Sequence, residues 1–521
     1  MRGWPDEGLD AVVIGAGHNG LVAACYLARA GWSVTILERA PIVGGAAVTE
    51  EIVPGFSGST ASYSLSLLRP DVAGDLGLAE RGLRLHPKDP QLFVPLPDGR
   101  SFLVWRDAAH TAEELAAVHA SDGEAYGRWG RFWDEVVSVF RPLVEDPDPP
   151  RPAEIEAGLA RRGRSELWRL AVATSAAEVV STFFASDEVR GAFASQGVIG
   201  TAASPREEGT AWVMTYHALG GELCGAAGTW AYVQGGMGSV TAALAAAAEG
   251  LGVSIRTGAE VDGVLVEEGR AVGVLLTSGE EVRAPVVVSN ADPRRTFGSL
   301  VPQGALPAAF RERVAAWRTD AAVVKVNLAL AEAPSYLARS GPGPHLGATL
   351  EISPSIGYLH EAFAAAGAGT MSPHPFMEVF LQTAIEPSLA PPGCHVASAF
   401  TQWAPRSCDG MVAELDHEGA LSTVLATLGA YAPNLPSALV AAEVLGPADL
   451  ERRFALTGGD IFHGAMLPHQ SFGARFGYET PLPGLYLCGS GARPGGCVMG
   501  AAGRNCARAV LGRGPAGETG R

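Results

Sequence analysis

The apolar residues near the beginning of the chain occur in short runs on either side of a glycine-rich stretch. Residues 10–14 are rich in valine and isoleucine, which is typical of a buried parallel strand. The pattern of residues 21–30 predicts a helix, in which Ala23 and Ala24 allow close packing on a sheet. Residues 32–37 form a second apolar run. The chain therefore begins with a predicted strand, glycine turn, helix and second strand.

Farther along the chain, the pattern predicts a mixture of hairpins, helices and strands. Apolar runs on either side of residues 97–99 predict a β-hairpin over residues 90–105. Helices are predicted for residues 109–144, 153–180, 239–250 and 501–511. Strands are predicted for residues 253–255, 261–267, 271–277, 282–289, 323–330, 376–383, 395–403 and 484–489.

Composition and charge narrow the classes of function. Hydrophobic residues make up 47% and charged residues 18%, which is typical of a well-packed globular protein. The net charge is −17 and no run is rich in basic residues, so a nucleic-acid partner is not expected. The seven cysteines are scattered without a CxxC pair, which argues against a disulfide scaffold and a metal site. Only about ten residues precede the first strand, so we expect no signal or transit peptide and a cytoplasmic location.

Three glycines lie where a nucleotide-binding turn requires them. Gly15 permits the tight turn out of the strand, Gly17 lets the backbone approach a pyrophosphate, and Gly20 lets the helix sit against the strand. Asn19 lies in the same turn, at the helix N-terminus whose N–H groups attract phosphates. Glu38 ends the second strand, where its carboxylate can accept hydrogen bonds from ribose hydroxyls and repels the 2′-phosphate of NADP. These five residues predict a dinucleotide site.

The turn after the second strand distinguishes FAD from NAD. Arg39 and the pair Gly44 and Gly45 resemble the extended signature of glutathione-reductase-type flavoproteins, in which the Gly-Gly segment passes close to FAD. In the later strands, Val261 is expected to place backbone groups beside the adenine. The sequence therefore predicts FAD as the cofactor.

A third nucleotide-binding element is predicted near the C-terminus. A strand ends at Gly489, and the loop after it contains Arg493, Val498 and Met499. The helix that follows can stabilise negative charge on the flavin, and Arg493 is predicted to lie over the flavin pyrimidine. The glycine spacing of the loop also imitates a second dinucleotide motif, but Pro494 and the lack of a following strand with an acidic residue disfavour NAD.

Residues 15–45, 232–292 and 484–509 together resemble the phytoene desaturase and carotenoid isomerase superfamily of FAD flavoproteins. Residues 459–465 and 488–496 resemble in particular its branch of pyridine nucleotide-disulfide oxidoreductase domain-containing protein 2. The resemblance covers nearly the whole chain and implies FAD, a two-domain fold and a hydrophobic substrate tunnel. It also implies a mitochondrial location if the chain behaves like eukaryotic relatives.

The chain departs from the carotenoid desaturases at two places beside the expected flavin ring. Ala492 and Arg493 stand where the desaturases usually carry Thr-His, and residues 495–500 differ from their Gly-Gly-Gly-Val-Pro-Gly run. Carotenoid desaturation is therefore not the favoured activity. A disulfide reductase is also disfavoured, because residues 44–69 contain no cysteine for a redox pair.

The expected fold class is α/β: a glutathione-reductase-type FAD-binding Rossmann domain, with an interleaved α+β substrate domain of mixed sheet and helices. A chain of 521 residues is long enough for two joined domains. The FAD-binding domain is assigned residues 1–70, 230–296 and 477–521. The substrate-binding domain is assigned residues 71–229 and 297–476.

The predicted activity is that of an FAD-dependent oxidoreductase. It takes a hydride from a hydrophobic small molecule onto flavin N5, and oxygen or a quinone-like acceptor reoxidises the flavin. Two other classes stay open: a polyene desaturase or isomerase, and a flavoprotein with a mainly binding or regulatory role. The sequence indicates no oligomeric state.

Few side chains outside the nucleotide motifs are candidates for the chemistry. His463 is the candidate catalytic residue, with a packing role as the alternative, and His217 is expected to be structural. Trp212 and Trp403 either line a pocket or belong to the core. Residues 179–199 are apolar but interrupted by charges, so they either pack as an amphipathic helix or make a peripheral membrane contact.

Overall fold

The secondary structure comes from a computed structural model that describes residues 8–320, 322–406 and 414–512. The strands in these residues are β1 Ala11–Ile14, β2 Val34–Leu37, β3 Thr49–Val53, β4 Phe56–Ser59, β5 Leu85–Pro87, β6 Leu92–Pro95, β7 Ser101–Val104, β8 Ala231–Val233, β9 Ser254–Arg256, β10 Val261–Glu267, β11 Arg270–Leu276, β12 Glu281–Arg283, β13 Val286–Ser289, β14 Val323–Leu330, β15 Thr349–Ile352, β16 Phe376–Leu381, β17 His395–Gln402, β18 Leu439–Leu445 and β19 Leu485–Leu487. The α-helices are α1 His18–Arg29, α2 Pro70–Asp75, α3 Ala108–Val118, α4 Ala120–Glu145, α5 Pro152–Arg161, α6 Ser165–Trp168, α7 Ala176–Phe183, α8 Asp187–Ala194, α9 Thr210–Ala218, α10 Gly238–Gly250, α11 Pro293–Arg295, α12 Ala308–Ala315, α13 Ile356–Gly367, α14 His417–Tyr431, α15 Leu435–Ala438, α16 Pro447–Phe454 and α17 Ala501–Val510.

A five-stranded sheet carries the nucleotide motifs. Its order is β19-β13-β1-β2-β9 and every neighbouring pair is parallel, with Ala11 opposite both Val286 and Val34. All residues of β1 and β13 are buried, which explains their continuous apolar runs. Helix α1 packs against α10 and α17, so the turns that follow β1 and β19 lie at one edge of the sheet.

The second large sheet has seven strands. Its order is β18-β14-β17-β16-β15-β6-β7, and only the pair of β15 and β6 is parallel among the described strands. Aromatic residues of α4 and α8 pack with residues of β14 and β17 in one apolar cluster. The predicted fold class, a Rossmann-type FAD domain with a second domain of mixed sheet and helices, is confirmed.

The strands of the five-stranded sheet come from all three segments predicted for the FAD-binding domain, and those of the seven-stranded sheet come from the other two. Among the named strands of the described residues, one pairing crosses this division: β8 pairs antiparallel with β5. The exact boundaries of the two domains stay a prediction.

The predicted helices and strands are divided where backbone geometry requires it. The helix predicted for residues 109–144 is α3 and α4, separated at His119, whose φ of −153° is extended. The helix predicted for residues 153–180 breaks after α5, where Gly163 has a φ of 71°, and again where Ser175 caps α7. The strand predicted for residues 282–289 becomes β12 and β13, which join different sheets.

Residues 179–199 are packed into the protein. They form the end of α7 and all of α8, and Val179, Val180, Val189 and Phe193 belong to the core cluster beside the seven-stranded sheet. Among the described residues, no helix has both the length and the apolar character needed to cross a membrane.

Candidate functional site

The turn between β1 and α1 can be formed only by very small residues. Gly15 has a φ of 91° and its N–H donates to the Leu37 carbonyl. A Cβ atom on Gly20 would stand 2.2 Å from the Gly15 carbonyl oxygen, and one on Gly17 would stand 2.7 Å from Asn290 Nδ2. The turn is therefore a close-packed cradle in which backbone atoms of Gly17 face a cavity.

Glu38 connects the two strands of the nucleotide unit. Its carboxylate is 7% exposed and accepts hydrogen bonds from the N–H groups of Ala16 and Ala40, at 2.7 and 2.8 Å. Glu38 and Arg39 both line the cavity, and the Arg39 guanidinium donates to the Arg452 carbonyl at 2.8 Å. An anchored carboxylate with remaining lone pairs suits the ribose hydroxyls of a dinucleotide.

The Gly-Gly turn lies directly on the phosphate turn. The N–H of Gly44 donates to the Ala16 carbonyl at 2.9 Å, and Gly44 forms a parallel bridge with Gly17. Gly44 and Gly45 also line the cavity. The sequence pattern that distinguished FAD from NAD therefore corresponds to a wall of the same site.

The C-terminal loop forms the next part of the cavity wall. Ser490, Cys497 and Val498 line the cavity, and the Ser490 hydroxyl is 3.4 Å from Asn19 Nδ2. Arg475 is fully buried and donates hydrogen bonds of 2.7 Å to the carbonyls of Ser490 and Phe462. Burial lowers the pKa of Arg475 to about 10, so it stays charged at neutral pH. This guanidinium joins the loop to the segment that carries the predicted catalytic histidine.

His463 and His18 contribute polar atoms that fit a ligand. Both line the cavity, and His463 Nδ1 and His18 Nε2 are buried without a hydrogen-bond partner in the described part of the chain. Burial lowers the pKa of His18 to about 4, and burial also lowers the pKa of His463. Two neutral imidazoles with unpaired atoms suit a polar group such as FAD, because a ligand supplies the missing partners. His18 was missed in sequence, although it lies inside the glycine turn.

Seven of the thirteen predicted cofactor residues, including Arg493, do not line the cavity. Gly15, Gly20, Gly489 and Met499 are turn or core positions, and Asn19 joins the first turn to Gly503 through its side-chain oxygen. Val261 begins β10 in a separate antiparallel sheet, and it does not line the cavity.

Arg493 differs most from its predicted place. Its guanidinium pairs with the Asp148 carboxylate and donates to the Gly473 carbonyl, and it does not line the cavity. The ion pair directs the side chain toward the loop before α5, so the structure does not bring Arg493 to the expected flavin position.

The predicted tryptophans are core residues. Trp212 is 1% exposed, and the centroid of its ring is 4.1 Å from that of Phe472. Trp403 is also 1% exposed and donates to the Thr201 carbonyl at 2.8 Å. Neither lines the cavity, so the pocket alternative is wrong for both. His217 does line it, with Nδ1 2.9 Å from the Gln196 carbonyl oxygen.

The far end of the cavity carries buried charged groups from the seven-stranded sheet and the segment before it. Lys325 on β14 is 1% exposed, and its Nζ donates to Asn327 Oδ1 at 2.8 Å and to the Ser398 hydroxyl. Burial lowers the pKa of Lys325 to about 7. Burial also lowers the pKa of Lys88, to about 8.

These two residues are the only lysines among the 38 basic residues of the chain, and both line the cavity. Neither lysine was predicted as a site residue from the sequence. A lysine inside the otherwise apolar run of β14 was the pattern that could have revealed the first.

An aromatic wall completes the cavity, whose volume is about 640 Å³. We define this wall by the lining residues Tyr126, Trp129, Trp133 and Phe193. Trp129 lies 5.2 Å from Trp133 and 5.4 Å from Phe193 between ring centroids. The cavity therefore joins a backbone cradle, an aromatic surface and two buried amines in one space.

Comparisons with known proteins agree with this arrangement. Residues 20–511 match the family described as "Flavin containing amine oxidoreductase". The mouse pyridine nucleotide-disulfide oxidoreductase domain-containing protein 2 is 41% identical, over 96% of this chain and 93% of that protein. The chloroplastic prolycopene isomerase of Daucus carota is 28% identical, over 96% of this chain and 80% of that protein. The crystal structure of an oxidoreductase from Methanosarcina mazei has a TM-score of 0.63 at 21% identity, covering 97% of this chain and all of that one. The predicted resemblance is confirmed.

Proposed function

We propose that this chain, which belongs to the flavin-containing amine oxidoreductase family and is an FAD-dependent oxidoreductase, acts on a hydrophobic small molecule. The substrate gives a hydride to flavin N5, and oxygen or a quinone-like acceptor then receives the electrons. The observation that carries the proposal is the shared cavity, which runs from the glycine cradle to the aromatic wall. An apolar aromatic surface beside a flavin site suits a substrate with a hydrocarbon body.

The residues that would hold FAD follow from the geometry of the cradle. Gly17, Gly44 and Gly45 leave room for the pyrophosphate, and Glu38 suits the ribose. The unpaired atom of His18 gives the bound cofactor a hydrogen-bond partner. When bound, FAD supplies the hydride acceptor, and the protein supplies position, electrostatics and exclusion of water.

Lys325 is the residue we propose for proton transfer. Loss of a hydride from a C–O or C–N site requires that a proton also leave the substrate. Burial lowers the pKa of Lys325 to about 7, close to neutral pH, as a proton acceptor requires. Asn327 and Ser398 fix its Nζ. His463 keeps a supporting role, because its unpaired Nδ1 can donate or accept a hydrogen bond at the cavity wall.

A polyene desaturase or isomerase is the second candidate. The carrot relative is named for prolycopene, and the aromatic wall would also accept a polyene. An isomerase causes no net oxidation, whereas a dehydrogenase consumes one substrate molecule for each flavin reduced. The third candidate, a binding or regulatory flavoprotein, requires no turnover.

The experiment that separates these functions is anaerobic mixing of the FAD-loaded protein with apolar alcohols, amines and polyenes. Loss of the visible flavin absorbance, recovered when oxygen or a quinone is added, supports the proposed oxidoreductase. Conversion of a cis-polyene by pre-reduced protein, without a change in flavin absorbance, supports the isomerase. Flavin that none of these substrates bleaches contradicts the proposed function.

A further inference from the structure

The charges at the far end of the cavity are opposite to those of the whole chain. The net charge of the chain is −17, but the substrate part of the cavity is lined by the basic side chains Lys88, Lys325 and Arg106. Lys88 and Arg106 carry positive charge there even when Lys325 is the neutral proton acceptor. The carboxyl groups there are Asp134 and Glu378. A cation-rich pocket in an acidic protein favours a ligand with negative charge.

Lys88 is a buried cation of the cavity wall that forms no salt bridge among the described residues. It is 3% exposed, and in the described residues its Nζ makes one hydrogen bond, of 2.8 Å to Thr349 Oγ1. The same Nζ lies 4.1 Å from the ring centroid of Phe380. The Lys88 backbone is fixed on both sides, by Trp230 and by the Gln91 side chain. Two ammonium protons therefore remain available at the cavity wall.

Glu378 does not take the place of a ligand for Lys88. Its carboxyl group accepts a hydrogen bond from the Tyr63 hydroxyl and lies opposite Glu351 in the β15–β16 register. Burial raises the pKa of Glu378 and, with the Glu378 charge, raises the pKa of Glu351 well above its usual range. Two buried carboxyl groups side by side favour the protonated form of at least one. The Glu378 charge acts on Lys88 through space and raises its pKa against the effect of burial, but no carboxylate of the described residues hydrogen-bonds to the Lys88 ammonium. Its remaining protons are therefore free to bind an anionic group of a ligand.

We propose that the substrate is an amphipathic acid, whose carboxylate is bound by Lys88 and Thr349 and whose hydrocarbon body lies along the aromatic wall. Arg106, exposed beside the cavity mouth, attracts the same group during entry. This inference rests on the proposed function, since it names the class of the hydrophobic substrate. It also disfavours a protonated amine as substrate, despite the family description.

The test uses the FAD-loaded protein and three probes with one chain length: dodecanoate, 1-dodecanol and dodecylamine. Binding is followed through tryptophan fluorescence, since Trp129 and Trp133 line the cavity. We expect dodecanoate to bind at least about tenfold more tightly than the other two, as a charge-assisted hydrogen bond provides. Equal or tighter binding of dodecylamine would overturn the inference, and this result needs no variant.

Variants then locate the site. In K88M, dodecanoate should bind about tenfold or more weakly, while 1-dodecanol binds within about twofold of wild type. Arg128→Met is the matched control, because it removes one exposed positive charge of α4 that does not line the cavity. An equal loss in R128M, or unchanged dodecanoate binding in K88M, would contradict a site at Lys88.

The inference and the proposed function fail in different ways. If apolar alcohols bleach the flavin but dodecanoate shows no preference, the acid site is wrong and the oxidoreductase proposal stands. If dodecanoate binds through Lys88 but no substrate of any class bleaches the flavin, the proposed function is wrong.

Discussion

The two ends of the cavity are built from different parts of the protein. At the nucleotide end, backbone atoms of Gly17, Gly44 and Gly45 form the cradle beside Glu38, held by hydrogen bonds within one short stretch of chain. At the other end, side chains form the cavity wall. Lys88 and Lys325 come from distant segments of the chain, and both are buried. We infer that the first end acts through space and shape, and the second through charge.

The largest expected effect is at the nucleotide end, where G20A tests the role of space. The added Cβ would stand 2.2 Å from the Gly15 carbonyl oxygen and 3.2 Å from Asn290 Cβ, so the turn must open. We expect FAD to bind at least about 100-fold more weakly, measured by flavin release, since a displaced turn loses its alignment with the pyrophosphate.

Gly74→Ala is the matched control for this change. Gly74 lies in α2 with nothing within 4 Å of its added Cβ, so helix propensity predicts a gain of about 0.5–1 kcal/mol and normal FAD content. Full flavin occupancy in G20A would show that the shape of the glycine cradle does not control FAD binding.

At the other end, Lys325→Met should slow anaerobic flavin reduction by about 100-fold or more, which is the usual size of general base catalysis. FAD content should not change, because Lys325 lies on β14 and not in the cradle. K88M is the comparison variant, since this substitution should weaken substrate binding more than it slows flavin reduction by the bound substrate. Equal rates in wild type and K325M would remove Lys325 from proton transfer.

Stability as a function of pH tests the same lysine without a substrate. The folded pKa of Lys325 is about 7 and its ordinary value is 10.5, so between these values the unfolded chain holds a proton that the folded protein lacks. The contribution of Lys325 to stability therefore increases as pH rises from about 7 to 10, and is lost as pH falls.

K325M lacks this titration. As pH rises from about 7, the unfolding free energy of wild type should therefore increase relative to that of K325M, by at most about 1.4 kcal/mol per pH unit. Urea unfolding of both FAD-loaded proteins at about pH 7 and about pH 9 measures this change. Parallel pH curves for the two proteins would mean that Lys325 is protonated throughout.

The smallest effect is expected for Arg493→Ala. Its partner Asp148 is 89% exposed, so loss of the ion pair should cost at most about 1 kcal/mol in thermal or urea unfolding. FAD affinity should stay within about twofold of wild type, because the guanidinium does not line the cavity. A tenfold rise in flavin release would instead place Arg493 at the cofactor, as its sequence position suggested.

The same contrast explains how much could be predicted from the sequence. The cradle depends on local spacing, so Gly17, Glu38 and the Gly44-Gly45 turn were all predicted and all line the cavity. The cofactor and the family follow from such motifs and are confirmed. Strand β14 was also predicted with its observed ends, because apolar residues fill six of its eight positions.

The substrate end could not be predicted in this way. Lys88 meets Thr349 only because β6 pairs with β15, which lies more than 250 residues farther along the chain. Strand register, and not local pattern, brings these side chains together. For Arg493 the position in a flavin-like loop predicted a cofactor contact, whereas its side chain pairs with the exposed Asp148 and does not line the cavity.

A crystal structure of the FAD-loaded protein with bound dodecanoate tests the central claim most directly. We expect the pyrophosphate at Gly17, the flavin ring between the Ser490 loop and Lys325, and the carboxylate on Lys88 Nζ. FAD bound with its ring away from Lys325, or dodecanoate whose carboxylate points to solvent while Lys88 contacts no ligand, would contradict it.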